Sequence, residues 1–260
     1  MIIDCNVHPT ADGKWFHTSL DASLDSLLLQ LDEAKVDKAV IIPFEGYISN
    51  EFSESTSARY PDRFISGVSV NPVKYKDAED AYVNFERDFS NIVAPVLKLH
   101  NRIHGFDLLD ERVLAILKAN ETFQKPLTVF ICGLLISKNT PVQMSPPLIF
   151  QKIVSGFPKT NFVIMHCGMS WALQVFEAIK DCANAYMDLS YVQSKYKETS
   201  VWTDLKYLCK NYDRRIIFGS DFPEVNIIQA TKDFNELTSG LDSIKIENIA
   251  GKNLLAILGA

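Results

Sequence analysis

Eight short apolar segments recur along the 260 residues of the chain, and they constrain its fold more than any other feature. Most of them are rich in β-branched or aromatic residues and are hydrophobic on both faces, which is typical of parallel strands covered on both sides. The predicted strands are residues 2–7, 38–43, 64–70, 96–100, 127–132, 161–166, 185–189 and 216–220.

Amphipathic stretches separate many of these strands. The helix predicted at residues 19–34 turns a row of leucines to one face, namely Leu20, Leu24, Leu27, Leu28 and Leu31. Helical patterns of the same kind occupy residues 110–119, 147–155, 170–182, 201–211 and 247–258.

Strands and helices that alternate from end to end indicate βα units around a parallel sheet. Eight repeats without a break in composition predict a single (β/α)8 TIM barrel that forms one domain over residues 1–260. A doubly wound open sheet is the structural alternative, although no glycine-rich dinucleotide loop follows the first strand.

The composition is that of an ordinary soluble protein with an acidic balance. The net charge of −6 comes from 32 acidic and 26 basic side chains, which argues against nucleic acid or an anionic membrane as the main partner. Five widely spaced cysteines without a C-x-x-C pair are typical of reduced thiols. Since the first residues have neither the basic region nor the apolar stretch of a signal peptide, we expect a cytoplasmic protein.

One stretch, residues 134–147, follows the fifth predicted strand, lacks periodicity and contains three prolines. In a barrel it would lie over the mouth, where the loops that follow strands carry function. A lid over the site and a solvent-exposed connector are both consistent with this sequence.

Polar residues stand where several predicted strands end. The first strand ends at Asn6 and His8, the fourth at Lys98 and His100, the sixth at His166 and the eighth just before Asp221. In a barrel the carboxyl ends of all strands meet at one mouth, where active sites lie. Because charged groups and imidazoles are costly to bury without partners, this concentration predicts a functional site.

The motifs around these residues occur in a recognisable order. Asp4-Cys5-Asn6-Val7-His8 is similar to an opening D-x-H-x-H motif. The later segments are Tyr60-Pro61-Asp62-Arg63-Phe64, Asn71-Pro72, Lys98-Leu99-His100, His166-Cys167-Gly168, Asp188-Leu189-Ser190, Gly219-Ser220-Asp221-Phe222-Pro223 and Gly251-Lys252-Asn253. The ordered set resembles the amidohydrolase-related (amidohydrolase 2) branch of the amidohydrolase superfamily. This group of TIM-barrel, metal-dependent enzymes includes hydrolases, lactonases and decarboxylases.

The resemblance implies a divalent metal, with zinc in first place, held by four groups. They are the two histidines of H-x-H, a histidine that ends the fifth strand and the aspartate that ends the eighth. The sixth-strand histidine polarises the substrate or moves protons. Such a metal lowers the pKa of its bound water to about 7. Position by position, His8, His166 and Asp221 match three places in this pattern.

Two positions depart from the family pattern. Asn6 stands where the first histidine belongs, and the fifth strand has Phe130 or Ile131 in place of its histidine. Asn6 could still coordinate through its amide oxygen, but a neutral oxygen is a poor zinc ligand beside imidazole.

Three interpretations of the metal are therefore open. The first keeps a weakened mononuclear site on His8, Asp221 and His166, with Asn6 as a weak fourth ligand. The second adds the thiolate of Cys132. The third has no metal, and Lys98 pairs with Asp221 to supply the positive charge locally.

Together with the resemblance, the polar cluster predicts an amidohydrolase-like hydrolase of a small polar or anionic substrate. Asp221 would be the general base, and His166 would polarise a carbonyl or protonate the leaving group. Lys98 and His100 would bind the substrate.

Two other functions are consistent with the same residues. A metal-independent lactonase or a decarboxylase of this fold would use the same cluster. A catalytically silent barrel that acts as a binding or scaffold protein would explain the lost ligands, although a drifting site is expected to lose its buried polar groups. The resemblance also implies a homodimer.

Overall fold

A computed structural model describes residues 1–132 and 147–259, so of the stretch 134–147 only Pro147 lies within the described residues. Eight parallel strands run in the order of the sequence, and each pairs with the next. The strands are β1 (Ile3–Val7), β2 (Lys38–Ile41), β3 (Phe64–Ser69), β4 (Val96–Leu99), β5 (Thr128–Ile131), β6 (Phe162–Ile164), β7 (Ala185–Asp188) and β8 (Ile216–Ile217). All eight predicted strands are confirmed, each with shorter bounds.

The sheet closes between its first and last strands. Just beyond β8, Phe222 bridges Val7 in parallel orientation, and the Asp221 amide donates a hydrogen bond to the Asn6 carbonyl oxygen at 3.0 Å. The Cys5 amide likewise donates to the Phe218 carbonyl oxygen at 3.1 Å. The fold is therefore the predicted (β/α)8 TIM barrel.

Helices cover the outside of this barrel. Those described are α1 (Leu24–Glu33), α2 (Asn50–Arg59), α3 (Ala78–Phe89), α4 (Asn101–His104), α5 (Glu111–Asn120), α6 (Leu148–Gly156), α7 (Ala172–Ile179), α8 (Val192–Lys195), α9 (Ser200–Asn211), α10 (Ile227–Leu237), α11 (Ser243–Glu247) and α12 (Asn253–Leu258). The six predicted helices correspond to α1, α5, α6, α7, α9 and α12, the last preceded by a π-helical turn at Asn248–Lys252. None of the helices that the structure describes is both long and apolar enough to cross a membrane.

The predicted start of the first helix was wrong. The Ser23 side chain accepts a hydrogen bond from the Ser26 amide and so caps α1, which begins at Leu24. Leu20 lies before the helix and is 37% exposed, so it does not belong to the buried face. Leu27 and Leu31 are fully buried, as the leucine pattern predicts.

Apolar side chains pack on both faces of the sheet, one layer outside the barrel and one inside it. The larger layer packs the strands against the helices and includes Leu97 and Val129 together with Phe85 of α3. The smaller layer takes alternate strand residues inside the barrel, including Ile3, Cys5, Val40, Ile42, Val96, Phe130, Val163, Met165 and Ile217. Leu254, Ile257 and Leu258 of α12 join this inner layer, and the Ile257 carbonyl oxygen accepts from Thr128 Oγ1 at the start of β5. The amino-terminal end of the barrel is therefore closed.

Candidate active site

A cavity of about 720 Å³ opens at the carboxyl ends of the strands. All six site residues predicted from the sequence line it, namely Asn6, His8, Lys98, His100, His166 and Asp221. They come from the ends of four different strands, because parallel strands in a closed barrel deliver their carboxyl ends to one mouth.

Asp221 lies at the centre of the hydrogen bonds in this cavity. Its Oδ1 accepts from Asn6 Nδ2 at 2.7 Å and lies 3.2 Å from His8 Nε2, whereas its Oδ2 accepts no hydrogen bond from the described residues. Burial alone would raise the pKa of Asp221, but the positive charges of His166 and Lys98 and the hydrogen bond from His8 lower it below its usual range. Asp221 is therefore a carboxylate with one oxygen left over for chemistry.

His8 is oriented by its surroundings. Its Nδ1 donates to the Ile42 carbonyl oxygen at 2.8 Å, which directs Nε2 towards Asp221. The Trp15 ring stacks on the imidazole at a centroid distance of 5.5 Å, and Phe44 contacts it at 4.3 Å. These contacts hold the ring in one orientation.

His166 follows β6 in a segment with unusual backbone geometry. His166, Cys167, Gly168 and Met169 all have positive φ angles, a conformation that residues other than glycine rarely adopt. The predicted sixth strand therefore ends at Ile164 and not at His166. The His166 amide donates to Asp188 Oδ1 at 3.1 Å, which compensates for part of the cost of this strained turn.

The His166 ring contacts Ser190 through Nδ1, which lies 3.0 Å from the Ser190 carbonyl oxygen and 2.9 Å from its Oγ. Burial lowers the pKa of His166, but the negative charge of Asp221, a hydrogen bond with Cys132 and the charge of Asp188 together raise it to about 9. At neutral pH the ring is an imidazolium whose Nδ1 proton is already engaged. With Nδ1 engaged by Ser190, the contact with Cys132 falls to Nε2, and a substrate oxygen can take the place of the thiol as the partner of that proton.

Lys98 and His100 form the other side of the cavity. Lys98 is only 2% exposed, yet it forms no ion pair with any residue in the part of the chain that the structure describes. The direct Lys98–Asp221 pair of the metal-free interpretation is thus not formed. Because His100 Nδ1 accepts from the Ile103 amide at 3.3 Å, its Nε2 carries a proton. Burial and the charge of Lys98 lower the pKa of His100 well below its usual value, so the ring is neutral.

Two further carboxyl groups lie beneath the site. Asp4 Oδ1 accepts from the Ser220 amide at 2.8 Å and from the Asn6 amide at 3.1 Å, so it joins the ends of β1 and β8. Burial raises the pKa of Asp4 to about 7, although these hydrogen bonds favour its ionised form. Burial also raises the pKa of Asp188, against the opposing charge of His166.

Several residues of the cavity were not predicted from the sequence. They are Trp15, Phe16, Phe44, Tyr47, Arg102, Ile103, His104, Gly105, Tyr191 and Glu224. Ser190, which contacts His166, stands in the Asp188-Leu189-Ser190 segment of the family pattern, and that segment was the only available signal for it. The aromatic residues lie in segments after β1, β2 and β7, and Arg102 lies in the one-turn helix α4 after β4. The sequence pattern does not determine the conformation of these connections.

The donor set does not fit the divalent metal that the resemblance implies. An asparagine binds a cation through Oδ1, but Asn6 directs Nδ2 at Asp221, so its Oδ1 is not the atom that meets the Asp221 carboxylate. Among the residues that the structure describes, only His8 Nε2 and Asp221 Oδ1 converge, fewer than the three protein ligands of catalytic zinc sites. Across residues 1–132 and 147–259, no group of three or more His, Cys, Asp or Glu side chains is placed to hold a metal ion.

Solved structures of the same fold include enzymes. An uncharacterized TIM-barrel protein from Bordetella bronchiseptica is 17% identical with a TM-score of 0.83, over 99% of this chain and 98% of that one. A probable 2-pyrone-4,6-dicarboxylic acid hydrolase from Acinetobacter baumannii, with citric acid bound, is 16% identical with a TM-score of 0.65, over 100% and 99% of the two chains. At these identities the likeness shows the fold alone.

A third similar structure contains a metal. It is a dihydroxybenzoic acid decarboxylase from a Polaromonas species, with bound manganese and the inhibitor 2-nitroresorcinol. It is 13% identical with a TM-score of 0.70, over 99% of this chain and 96% of that one. None of the curated protein sequences matches this chain.

The family itself is shown by the sequence. The family model described as Amidohydrolase matches residues 3–238, which span nearly the whole barrel from β1 to the end of α10. Members of this family are enzymes that include both hydrolases and decarboxylases. The chain therefore belongs to the amidohydrolase family of TIM-barrel proteins.

Proposed function

We propose that this chain is a hydrolase of a small substrate that carries a carboxylate near its scissile carbonyl. The observation that carries the proposal is the combination, in one cavity, of a carboxylate with a free oxygen, an imidazolium and a buried lysine without an ion-pair partner among the described residues. The chemistry is assigned to the side chains of this chain, and no step passes through a metal.

Asp221 is the general base of this mechanism. Its Oδ1 is held by Asn6 and faces His8, so its Oδ2 takes a proton from the water that attacks the carbonyl. A carboxylate whose pKa lies below its usual range is fully ionised at neutral pH and is therefore available as a base. The same low pKa makes it a weak base, so the driving force for taking a proton from water is small. Its position within the site therefore contributes more than its basicity.

His166 acts opposite Asp221. Its Nδ1 is engaged with Ser190, so Nε2 donates to the carbonyl oxygen as negative charge develops and then protonates the leaving group. A donor aimed at developing charge in a site shielded from water supplies a large part of a rate enhancement.

Lys98, His100 and Arg102 bind the substrate carboxylate. Lys98 supplies a buried positive charge, and neutral His100 donates through Nε2. Arg102 lies at the exposed edge of the same cavity and can form two parallel hydrogen bonds with a carboxylate. The aromatic wall of Trp15, Phe44 and Tyr47 covers the apolar part of the substrate.

The test is a screen of small carboxylate-bearing lactones, esters and amides, together with benzoates. Proton release reports hydrolysis, and carbon dioxide release reports decarboxylation, which is the rival reaction within the family. Asp221→Asn should lower kcat by about 10²- to 10⁴-fold while the circular dichroism spectrum is unchanged. The matched control is Asp110→Asn, which removes a carboxylate that caps α5 outside the cavity and should leave kcat unchanged.

The scaffold hypothesis predicts a different pattern. A catalytically silent barrel would turn over no member of the panel, and Asp221→Asn would leave the binding of its partner intact. Turnover that disappears only in Asp221→Asn supports the enzyme.

A further inference from the structure

The side-chain amide of Asn6 makes two hydrogen bonds with one nitrogen. Nδ2 donates to Asp221 Oδ1 at 2.7 Å and to Ser190 Oγ at 3.1 Å, and the whole side chain is buried. Both amide protons are therefore used, one on each neighbour. Asn6 joins the end of β1 to the segments that follow β7 and β8.

The orientation of this amide is fixed by its neighbours. A flipped amide would place its oxygen 2.7 Å from a carboxylate oxygen of Asp221, and two acceptors at that distance repel. In the orientation observed, Asn6 Oδ1 is buried and accepts no hydrogen bond from residues 1–132 or 147–259. An unpaired buried carbonyl is costly, and in this orientation the cost falls on one acceptor while both amide protons have partners.

Ser190 extends the connection to His166. Its Oγ donates to Asp188 Oδ1 and accepts from Asn6, and it lies 2.9 Å from His166 Nδ1. One buried hydrogen-bonded series thus runs from Asp221 through Asn6 and Ser190 to His166. Residues held in such a series have few alternative rotamers.

We propose that Asn6 is a positioning residue, whose amide nitrogen ties Asp221 and Ser190 together and thereby fixes the acid and the base relative to each other. Asn6 occupies the place of the first H-x-H histidine. The same hydrogen bond that orients Asp221 turns the nitrogen of Asn6, and not its metal-binding oxygen, towards that carboxylate. An asparagine in place of this histidine is therefore what distinguishes the cavity from a metal-binding site.

A histidine at this position would change the donor set. With His8 and Asp221 already 3.2 Å apart, a second imidazole from β1 would complete three protein ligands, the number found in catalytic zinc sites. The inference deepens the proposed function, because the positioning role presupposes that Asp221 and His166 carry out catalysis. The metal measurement below requires no substrate and is independent of it.

The first measurement is the binding of Zn²⁺ to the full chain by isothermal titration calorimetry, with metal content checked by elemental analysis. Asn6→His should bind Zn²⁺ at least about tenfold more tightly than the parent, because it supplies the third ligand. The matched control is Asn120→His, at another buried asparagine whose amide bonds Leu127 and Thr160 outside the cavity. It should bind Zn²⁺ no better than the parent.

The second measurement is a double-mutant cycle on kcat and KM with the best substrate of the screen. Asn6→Ala and Ser190→Ala should each lower kcat by about 10- to 100-fold, with a smaller change in KM. The double variant should lose little more than either single variant, because both act on one series of hydrogen bonds. Asn120→Ala should lower thermal stability and leave kcat unchanged.

The outcomes separate the two proposals. An Asn6→His variant that folds and binds Zn²⁺ no tighter than the parent overturns the inference, and so does Asn6→Ala with the parent's kcat. If no substrate is turned over, the proposed function fails, and Zn²⁺ binding alone decides the role of Asn6. If Asn6→His does not fold, the kinetic cycle decides it.

Discussion

Single polar atoms determine what the cavity can do. Lys98 illustrates this, because its side chain is almost fully buried in the mouth of the barrel and its charge lowers the pKa of Asp221 without a direct ion pair. A buried ammonium group without a close counter-ion is costly to fold around. Such a group is expected where a ligand supplies the opposite charge.

Lys98→Met removes this charge and keeps most of the side-chain volume. We expect KM for a carboxylate substrate to rise by about 10- to 100-fold, because a charge-assisted hydrogen bond is lost. The free energy of unfolding in urea should be unchanged or higher, since no ion pair with a described residue is broken. The exposed Lys118 in α5 offers the control, Lys118→Met, with KM unchanged. An unchanged KM for Lys98→Met would remove Lys98 from the substrate site.

At the scale of elements, the segment from His166 to Met169 has to hold a catalytic ring on a strained backbone. Gly168 in its middle has a φ of +72°, and a Cβ atom there would lie 2.5 Å from Val175 Cγ2 of α7. The segment can therefore take up its turn only because glycine leaves room for α7.

Gly168→Ala should lower the free energy of unfolding by about 2–4 kcal/mol, as backbone strain and a steric clash add together. It should also lower kcat, because His166 moves with the segment. Gly240→Ala is the control for backbone strain alone, since Gly240 has a φ of +84° but nothing within 4 Å of the added methyl group. Urea unfolding of the two variants separates the contributions. Equal losses in both variants would contradict a steric role for Val175.

The elements also show how far the sequence determines this structure. Apolar periodicity predicted all eight strands, because their hydrophobic residues face two packed layers. It missed the longer helices α2, α3 and α10 and the short helices α4, α8 and α11. The buried residues of α2 are Ser53, Thr56 and Ser57, so this helix packs without an apolar stripe.

The same limit applies to the site. Its six predicted residues could be found because they end strands, and strand ends meet in a barrel whatever the loops do. Ser190 and Arg102 could not be assigned roles, since their positions depend on loop conformation and on the hydrogen bonds of neighbouring segments. The direction of the Asn6 amide likewise follows only from its neighbours in space.

At the scale of the whole molecule, the barrel buries four of its five cysteines, namely Cys5, Cys132, Cys167 and Cys209. Burial raises the pKa of the Cys5 and Cys167 thiols well above the usual value and that of Cys209 to about 12. Cys182 is the half-buried one.

The cytoplasmic location and the homodimer that we expect from the sequence stay predictions.

Thiol alkylation tests this arrangement. Because the thiolate is the reactive form, iodoacetamide should label Cys182 first in the native protein, and Cys5, Cys167 and Cys209 only after denaturation. Mass spectrometry of tryptic peptides assigns the sites, and Cys182→Ser should abolish the fast phase. Native labelling of Cys5 or Cys167 as rapid as that of Cys182 would show that the barrel is open where the structure has it packed.

The central claim is that Asp221 and His166 perform acid–base catalysis in this cavity. It is tested most directly by kcat of the parent and of Asp221→Asn on the best substrate of the screen, at equal folded content. We predict measurable turnover by the parent and a loss of at least about 100-fold in the variant. A variant as active as the parent, or a parent that turns over no member of the panel, would contradict it.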